Sequence, residues 1–121
     1  MTATEILTQY ARGVRDFRAL DLDAEVFELR GAVLAGADFS GSLLCADLRG
    51  ADLRGALLIG ADLRGANLAL TDVTGADLRG ANLAGAHLAT TLFLAQSQLD
   101  SAVGDRATAL PPTLVRPAHW V

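Results

Sequence analysis

Small, polar and large apolar positions follow one another along most of this chain with a period of five, rather than the two of a strand or the 3.6 of a helix. From Ala46 to about Phe93 the pentads read ADLRG, ADLRG, ALLIG, ADLRG, ANLAL, TDVTG, ADLRG, ANLAG, AHLAT and TLFLA. At about 100° per residue, successive leucines in a helix would land roughly 140° apart and circle the axis. In a flat strand an odd period sends them to alternate faces of the sheet. The chain must therefore turn once per pentad. The central residue is Leu in eight of the ten pentads, with Val73 and Phe93 as exceptions, and the residue two before it is Ala in eight, with Thr71 and Thr91 substituting. Residues two apart share one side of an extended segment, so this small and large pair is predicted to fill the inside of a narrow coil while the Asp or Asn between them faces water. Glycine closes seven of the ten pentads, at a corner where a missing Cβ admits unusual backbone angles.

Tandem A(D/N)LxG resembles the pentapeptide-repeat family, from roughly Phe17 to Phe93. The resemblance implies an all-β solenoid: a right-handed quadrilateral β-helix with four pentads per coil, about four coils here, closed by short N- and C-terminal capping helices. Counting by fours stacks Leu29, Leu48, Leu68 and Leu88 on one side and Leu34, Leu53, Val73 and Phe93 on the next. Phe39, Leu58 and Leu78 form a third column, and Leu63 and Leu83 a fourth that begins at Leu43 or Leu44. Two breaks interrupt the register. Ser42 to Cys45 is one residue short of a pentad, so a corner must tighten there; the frame of Phe17 and Leu22 requires two extra residues, predicting a bulge or loop around Asp23 to Val26.

The chain divides into an N-terminal capping helix at 1–13, a repeat region at 14–94, and a C-terminal helix with an extended capping tail at 95–121. Thr2 and Glu5 fit a capping box, Ile6, Leu7 and Tyr10 share a helical face, and Gly13 marks the stop. After Phe93, Gln96 to Val103 reads as a short helix with Leu99 and Val103 on one face, ended by Gly104. The tail carries all three prolines and the only Trp, and is expected to be extended, with Leu114, Val115 and Trp120 folding back over the last coil. It resembles tails that close some proteobacterial members of the family. A contact with a second copy or a partner is the sharper reading of Trp120.

Catalytic chemistry is scarce. His87 takes the polar position of its pentad and His119 lies in the tail, neither beside an acid or nucleophile in sequence. Cys45 is the only cysteine, which excludes an internal disulfide, and sits at the shortened corner as a small residue tolerated in a tight turn. No metal-ligand spacing is present, and the glycines follow the five-residue period rather than a phosphate-binding loop. The expectation is a non-enzymatic protein with no catalytic residue, no cofactor and no metal. The opening residues lack the pattern of a secretory signal and no run of 18 apolar residues occurs, so a soluble cytoplasmic protein without membrane contact is expected.

Some pentapeptide-repeat proteins are acidic dimers that mimic DNA and bind DNA gyrase, and charge weighs that alternative. A tower of about four coils at about 4.8 Å each stands roughly 19 Å tall and would need on the order of eleven negative charges to imitate duplex DNA. From Leu29 to Phe93 six aspartates (38, 47, 52, 62, 72, 77) face five arginines (30, 49, 54, 64, 79), a net of minus one. Each ADLRG places an Arg beside its Asp and cancels the field a mimic requires. The excess acid, Asp16, Asp21, Asp23, Glu25 and Glu28, lies at the first coil. Direct nucleic-acid binding is not expected at a net charge of −4 without a basic stripe. What remains is an interaction module for a protein partner, with a homodimer among the possibilities, and a candidate surface of outward apolar residues: Leu57 and Ile59, where neighbouring pentads carry Asp and Arg, Leu92 and Leu94 about Phe93, and Trp120. Burial under the tail is the plainer account of Leu92 and Leu94.

Overall fold

The computed structural model describes residues 1–22 and 29–120. Helix α1 (Ala3–Ala11) begins where expected: the Thr2 side chain accepts from the Glu5 amide at 3.1 Å and the Glu5 carboxylate reaches back to the Thr2 amide. Ala3 and Ile6 are fully buried. The Tyr10 hydroxyl donates to the Ala35 carbonyl at 2.6 Å, and the Arg15 guanidinium lies 3.6 Å from the centre of the Tyr10 ring. Neither contact follows from the helical periodicity.

Past α1 the chain pairs in parallel with itself one pass later, side after side. The bridges connect outward positions: Val33 to Asp52 to Asp72 to Leu92 along one side, Asp38 to Leu57 to Asp77 along the next, Leu43 to Asp62 to Asn82 to Val103 along a third, and Asp47 to Asn67 to His87 to Ala109 along the fourth. Each bridge uses two hydrogen bonds. The outward amide donates up to the carbonyl of a small inward residue, as Asp77 does to Ala56, and the large inward residue donates down, as Leu58 does to the Asp77 carbonyl.

Both register breaks are visible in this ladder. The first bridges, Asp16 to Asp38 and Asp21 to Leu43, span 22 residues; those leaving Val33, Asp38 and Leu43 span 19; those leaving Asp47 through Asp72 span 20; and the last two, leaving Asn82 and His87, span 21 and 22 across the pass that holds the second helix. The extra pair of residues therefore falls after Leu22, and the bulge expected at Asp23 to Val26 lies outside the described residues. The missing residue falls after Leu44. At an ordinary corner the alanine amide bonds the leucine carbonyl three residues back, as Ala51 does to Leu48, whereas Ala46 bonds Leu44, two back, at 2.7 Å. Cys45 alone spans that corner, Leu44 is the inward residue, and Leu43 faces out as a ladder residue.

The inward columns hold the core. Leu29, Leu48, Leu68 and Leu88 are buried, as are Leu34, Leu53 and Val73, and Leu44, Leu63 and Leu83. Phe17 stacks on Phe39 with ring centroids 5.4 Å apart, above Leu58 and Leu78. Where a small inward position carries a hydroxyl, it donates to the carbonyl of a large inward residue one coil back: Ser42 to Phe17, Thr71 to Leu48, Thr91 to Leu68 and Thr108 to Leu83. Buried hydroxyls are thereby satisfied without leaving the core.

The end of the molecule departs from the expectation in four ways. Phe93 is not inward but 72% exposed, at φ +62°, where a side chain is strained by about 1–2 kcal/mol. The second helix, α2 (Gln96–Asp100), is shorter than expected; Leu99 is buried but Val103 is 46% exposed, because Val103 has returned to the ladder beneath Asn82. The ladder accordingly runs to Ala109 rather than stopping at Phe93. Finally, Gly104 ends no helix. It occupies the inward position after Leu83, where the column would call for a large side chain, and the ring of Trp120 fills that space from the tail.

Candidate functional site

The outer wall of the coil is set by the polar residue of each pentad. Its side chain does more than face water: Asp47, Asp52, Asp62 and Asp77 each accept, through Oδ1, the amide two residues on, and Asn67 and Asn82 do the same. This bond fixes the turn into the corner, which explains why Asp and Asn alternate freely there. In the ADLRG pentads the arginine returns to the same carboxylate. Arg49, Arg54, Arg64 and Arg79 each place Nη2 2.7 Å from their Asp. Hydrogen bonding from the arginine holds all four carboxyls below the usual range. Asp16, clasped by Arg18, is held at about 2. The charged wall is a set of internally closed pairs rather than a field of one sign.

Against that wall the candidate residues fall into three groups. Leu57 is 37% exposed and Ile59 half-buried, on one side between the polar pairs of the coils above and below. Leu92 is 38% exposed, so the tail does not cover it as expected, whereas Leu94 is half-buried and packs on the core. Trp120 leaves the candidate surface altogether. It is 6% exposed, and its indole Nε1 donates to the Ala102 carbonyl at 3.0 Å. Of the tail residues expected to fold back with it, Leu114 packs partly on the core and Val115 is 71% exposed. Val115 is instead gripped through its backbone: Gln96 accepts from its amide and donates to its carbonyl.

The residues with reactive side chains stay apart. His87 is exposed on the wall. The His119 Nε2 donates to the Ala102 carbonyl at 2.8 Å, sharing that acceptor with Trp120. The Cys45 thiol lies 3.5 Å from an Asp62 carboxylate oxygen, and burial, then that carboxylate, push its pKa up, away from the reactive thiolate. Among the described residues no group of three His, Cys, Asp or Glu is placed to hold a metal ion, and no helix is long and apolar enough to cross a membrane.

Two features escaped the sequence reading. Asp105 accepts the Gly85 amide, a bond that elsewhere goes to a backbone carbonyl of the next coil, and Arg116 ties the tail to the Asp105 and Thr108 carbonyls. A groove of about 500 Å³ opens between α2 and the coil, lined by Gly75, Leu78, Arg79, Phe93 and Gln98 among others. Phe93 holds the large inward position of its pentad, so hydropathy alone carried no signal for that groove.

These features have counterparts in solved structures. The protein Rfr23 from the cyanobacterium Cyanothece 51142 superposes with a TM-score of 0.70 at 31% identity over 78% of this chain, which spans 63% of that one. The protein alr5209 from Nostoc Pcc 7120 is 35% identical over 94% of this chain and 88% of its own, with a TM-score of 0.53. Both are pentapeptide repeat proteins. No curated protein matches the chain. The sequence profile described as "Pentapeptide repeats" matches residues 46–85 in eight copies. With its five-residue ladder, its Asp and Asn turns and these relatives, the chain belongs to the pentapeptide-repeat family.

Proposed function

We propose that this protein is a non-enzymatic interaction module, soluble and cytoplasmic, that contacts a protein partner or a second copy of itself through outward apolar residues. The repeat region of residues 14–94, continued by the ladder to Ala109, wound right-handed with four sides and closed by residues 1–13 and the tail, serves as a rigid scaffold for that surface. One observation carries this reading: the carboxylate of each ADLRG pentad is closed by its own arginine, and Leu57 with Ile59 interrupts that wall in mid-coil with two neighbouring large apolar side chains. Leu92 and Leu94 extend the same character toward the end of the ladder. An apolar interruption in a closed polar wall is the kind of patch that partners bury.

The DNA-mimic alternative draws no support from this geometry. An arginine closed on Asp16, Asp47, Asp52, Asp62 and Asp77 leaves little potential to project toward a DNA-binding protein. Replacing Leu57 and Ile59 together by Asp is expected to halve the mass of a dimer in light scattering, or to abolish capture of a partner, with an unchanged circular dichroism spectrum. An unchanged mass and an unchanged partner set would remove this surface from consideration. Gyrase supercoiling, with and without a quinolone, is expected to be unaffected by the protein at tens of micromolar; inhibition or protection at lower concentration would overturn the scaffold reading in favour of mimicry.

A further inference from the structure

The parallel ladder has a missing rung. From Leu34 to Leu88 every large inward residue donates its amide to the coil below except Leu78, and from Gly31 to Gly85 every corner glycine amide has an acceptor except Gly75. Neither amide has a hydrogen-bond partner among the described residues. In the coil above, the equivalent amides of Gly55 and Leu58 bond the carbonyls of Thr74 and Asp77. Below Gly75 and Leu78 that stretch of chain is absent, because Phe93 turns outward at positive φ and α2 follows in place of an extended segment. The approaching ladder already stretches: Val73 reaches the Leu92 carbonyl at 3.3 Å, longer than its neighbours. The vacated rung is the groove beside α2.

The groove is rich in donors and poor in acceptors. The Ala76 carbonyl, the one that would receive an amide of the missing rung, and the adjacent Val73 carbonyl both accept from the side-chain amide of Gln98, whose oxygen in turn accepts from the Ala95 amide. Gln98 thus seals the acceptor half of the rung and leaves the donor half open. Arg79 stands on the wall with its side chain 69% exposed; both oxygens of Asp77 are taken by its Nε and Nη2, while its Nη1 has no hydrogen-bond partner among the described residues. Phe93 adds an exposed aromatic face. A guest must bring acceptors, and bring them at the spacing of a backbone.

We infer that the groove takes an extended acidic segment of a partner protein as the missing rung. Two of its carbonyls, three residues apart as in Thr74 and Asp77, receive the Gly75 and Leu78 amides, and a carboxylate side chain reaches Arg79. This is strand addition to a local sheet edge, with main-chain bonds giving affinity and side-chain contacts giving choice. The inference deepens the interaction-module reading and rests on it for the existence of a protein partner. Leu57 and Ile59 stand one rung above on the same side, so the two readings are told apart by readout: oligomeric mass or partner capture for that patch, amide exchange and peptide-induced shifts for this rung.

The experiment uses the full chain labelled with nitrogen-15. Amide exchange at Gly75 and Leu78 is expected to be about a hundredfold faster than at Gly55 and Leu58; equal protection would mean the rung is closed and would end the proposal. An acetylated, amidated six-residue peptide alternating alanine and glutamate is then titrated, beside its alanine and lysine counterpart and sodium acetate. Shifts confined to Gly75, Leu78, Arg79 and α2, caused by the glutamate peptide alone, are expected. Phe93→Gly, which suits the positive φ, and Arg79→Gln should each weaken binding about threefold or more, while His87→Asn, on the opposite side of the coil, leaves it unchanged. No shift at millimolar peptide, equal shifts with the lysine peptide, or full reproduction by acetate would each overturn a bound acidic segment.

Discussion

Gly104→Ala tests the end of the coil. The glycine is buried, its φ lies outside the left-handed region, and alanine suits its backbone; the obstacle is purely steric. A Cβ built there lies 2.5 Å from Cε3, 2.6 Å from Cζ3 and 2.7 Å from Cδ2 of Trp120, all rigid ring atoms. The ring, 6% exposed and tied to the Ala102 carbonyl, must leave its seat. An indole of about 200 Å² at about 25 cal/mol per Å² sets a ceiling near 5 kcal/mol. Compactness of the unfolded chain lowers this by up to about 40%, and freedom regained by the tail offsets part of the rest. A loss of about 2–4 kcal/mol is expected. Trp120 is the only tryptophan, so its emission reports the seat directly. Gly104→Ala should shift emission to that of solvated indole and lower the urea midpoint. Trp120→Ala should cost a similar amount, and the double variant no more than either alone, because both remove one contact. Buried emission retained with a loss under about 0.5 kcal/mol would refute the argument.

Replacing buried Leu63 by Arg should unfold the coil cooperatively, since an unpaired charge in that core costs more than about 4 kcal/mol; a native circular dichroism spectrum and melting point would contradict the inward assignment. Leu70, 60% exposed at φ +57° in a corner that elsewhere holds glycine, should gain up to about 1 kcal/mol as Leu70→Gly, seen as a higher melting temperature. The carboxyls of Asp47, Asp52, Asp62 and Asp77 are depressed in the folded state, so their contribution is complete above the unfolded value of about 4 and is lost as pH falls through the folded values. Melting temperature should be level from pH 7 to about 5 and fall below about 4; a fall beginning near pH 6 would contradict a carboxylate origin. Asp62→Asn should preserve the fold with little change in melting temperature at pH 7, because Asn67 and Asn82 make the same turn bond; a large loss would mean the arginine pair matters more than the turn.

The inward columns were legible because a period of five constrains both side-chain direction and turning at once, and a single missing residue could be placed near Cys45 by counting alone. Choosing Leu44 over Leu43 required the backbone, since both are leucine and only the Ala46 bond decides the tightened corner. The Asp and Asn preference was legible as outward polarity but not as a turn bond, which depends on side-chain reach rather than hydropathy. The end of the coil was misread for a related reason. Phe93 and Val103 are apolar, and pattern alone sends apolar residues inward, whereas the backbone turns one out at positive φ and returns the other to the wall. Trp120 and Gly104 lie 16 residues apart outside the repeat, and no periodic argument joins them.

The passes of 19 to 22 residues carry a consequence for how such a molecule can change through time. Because each polar residue secures its own turn, and often its own arginine, a pentad brings its local bonds with it when copied or lost. The one-residue deletion at Cys45 is absorbed at a single corner, and the bridges beyond it keep a step of 20 as far as Asp72. Length is therefore a heritable variable nearly independent of sequence elsewhere, and lineages can lengthen or shorten the column by whole turns while its two ends stay as they are.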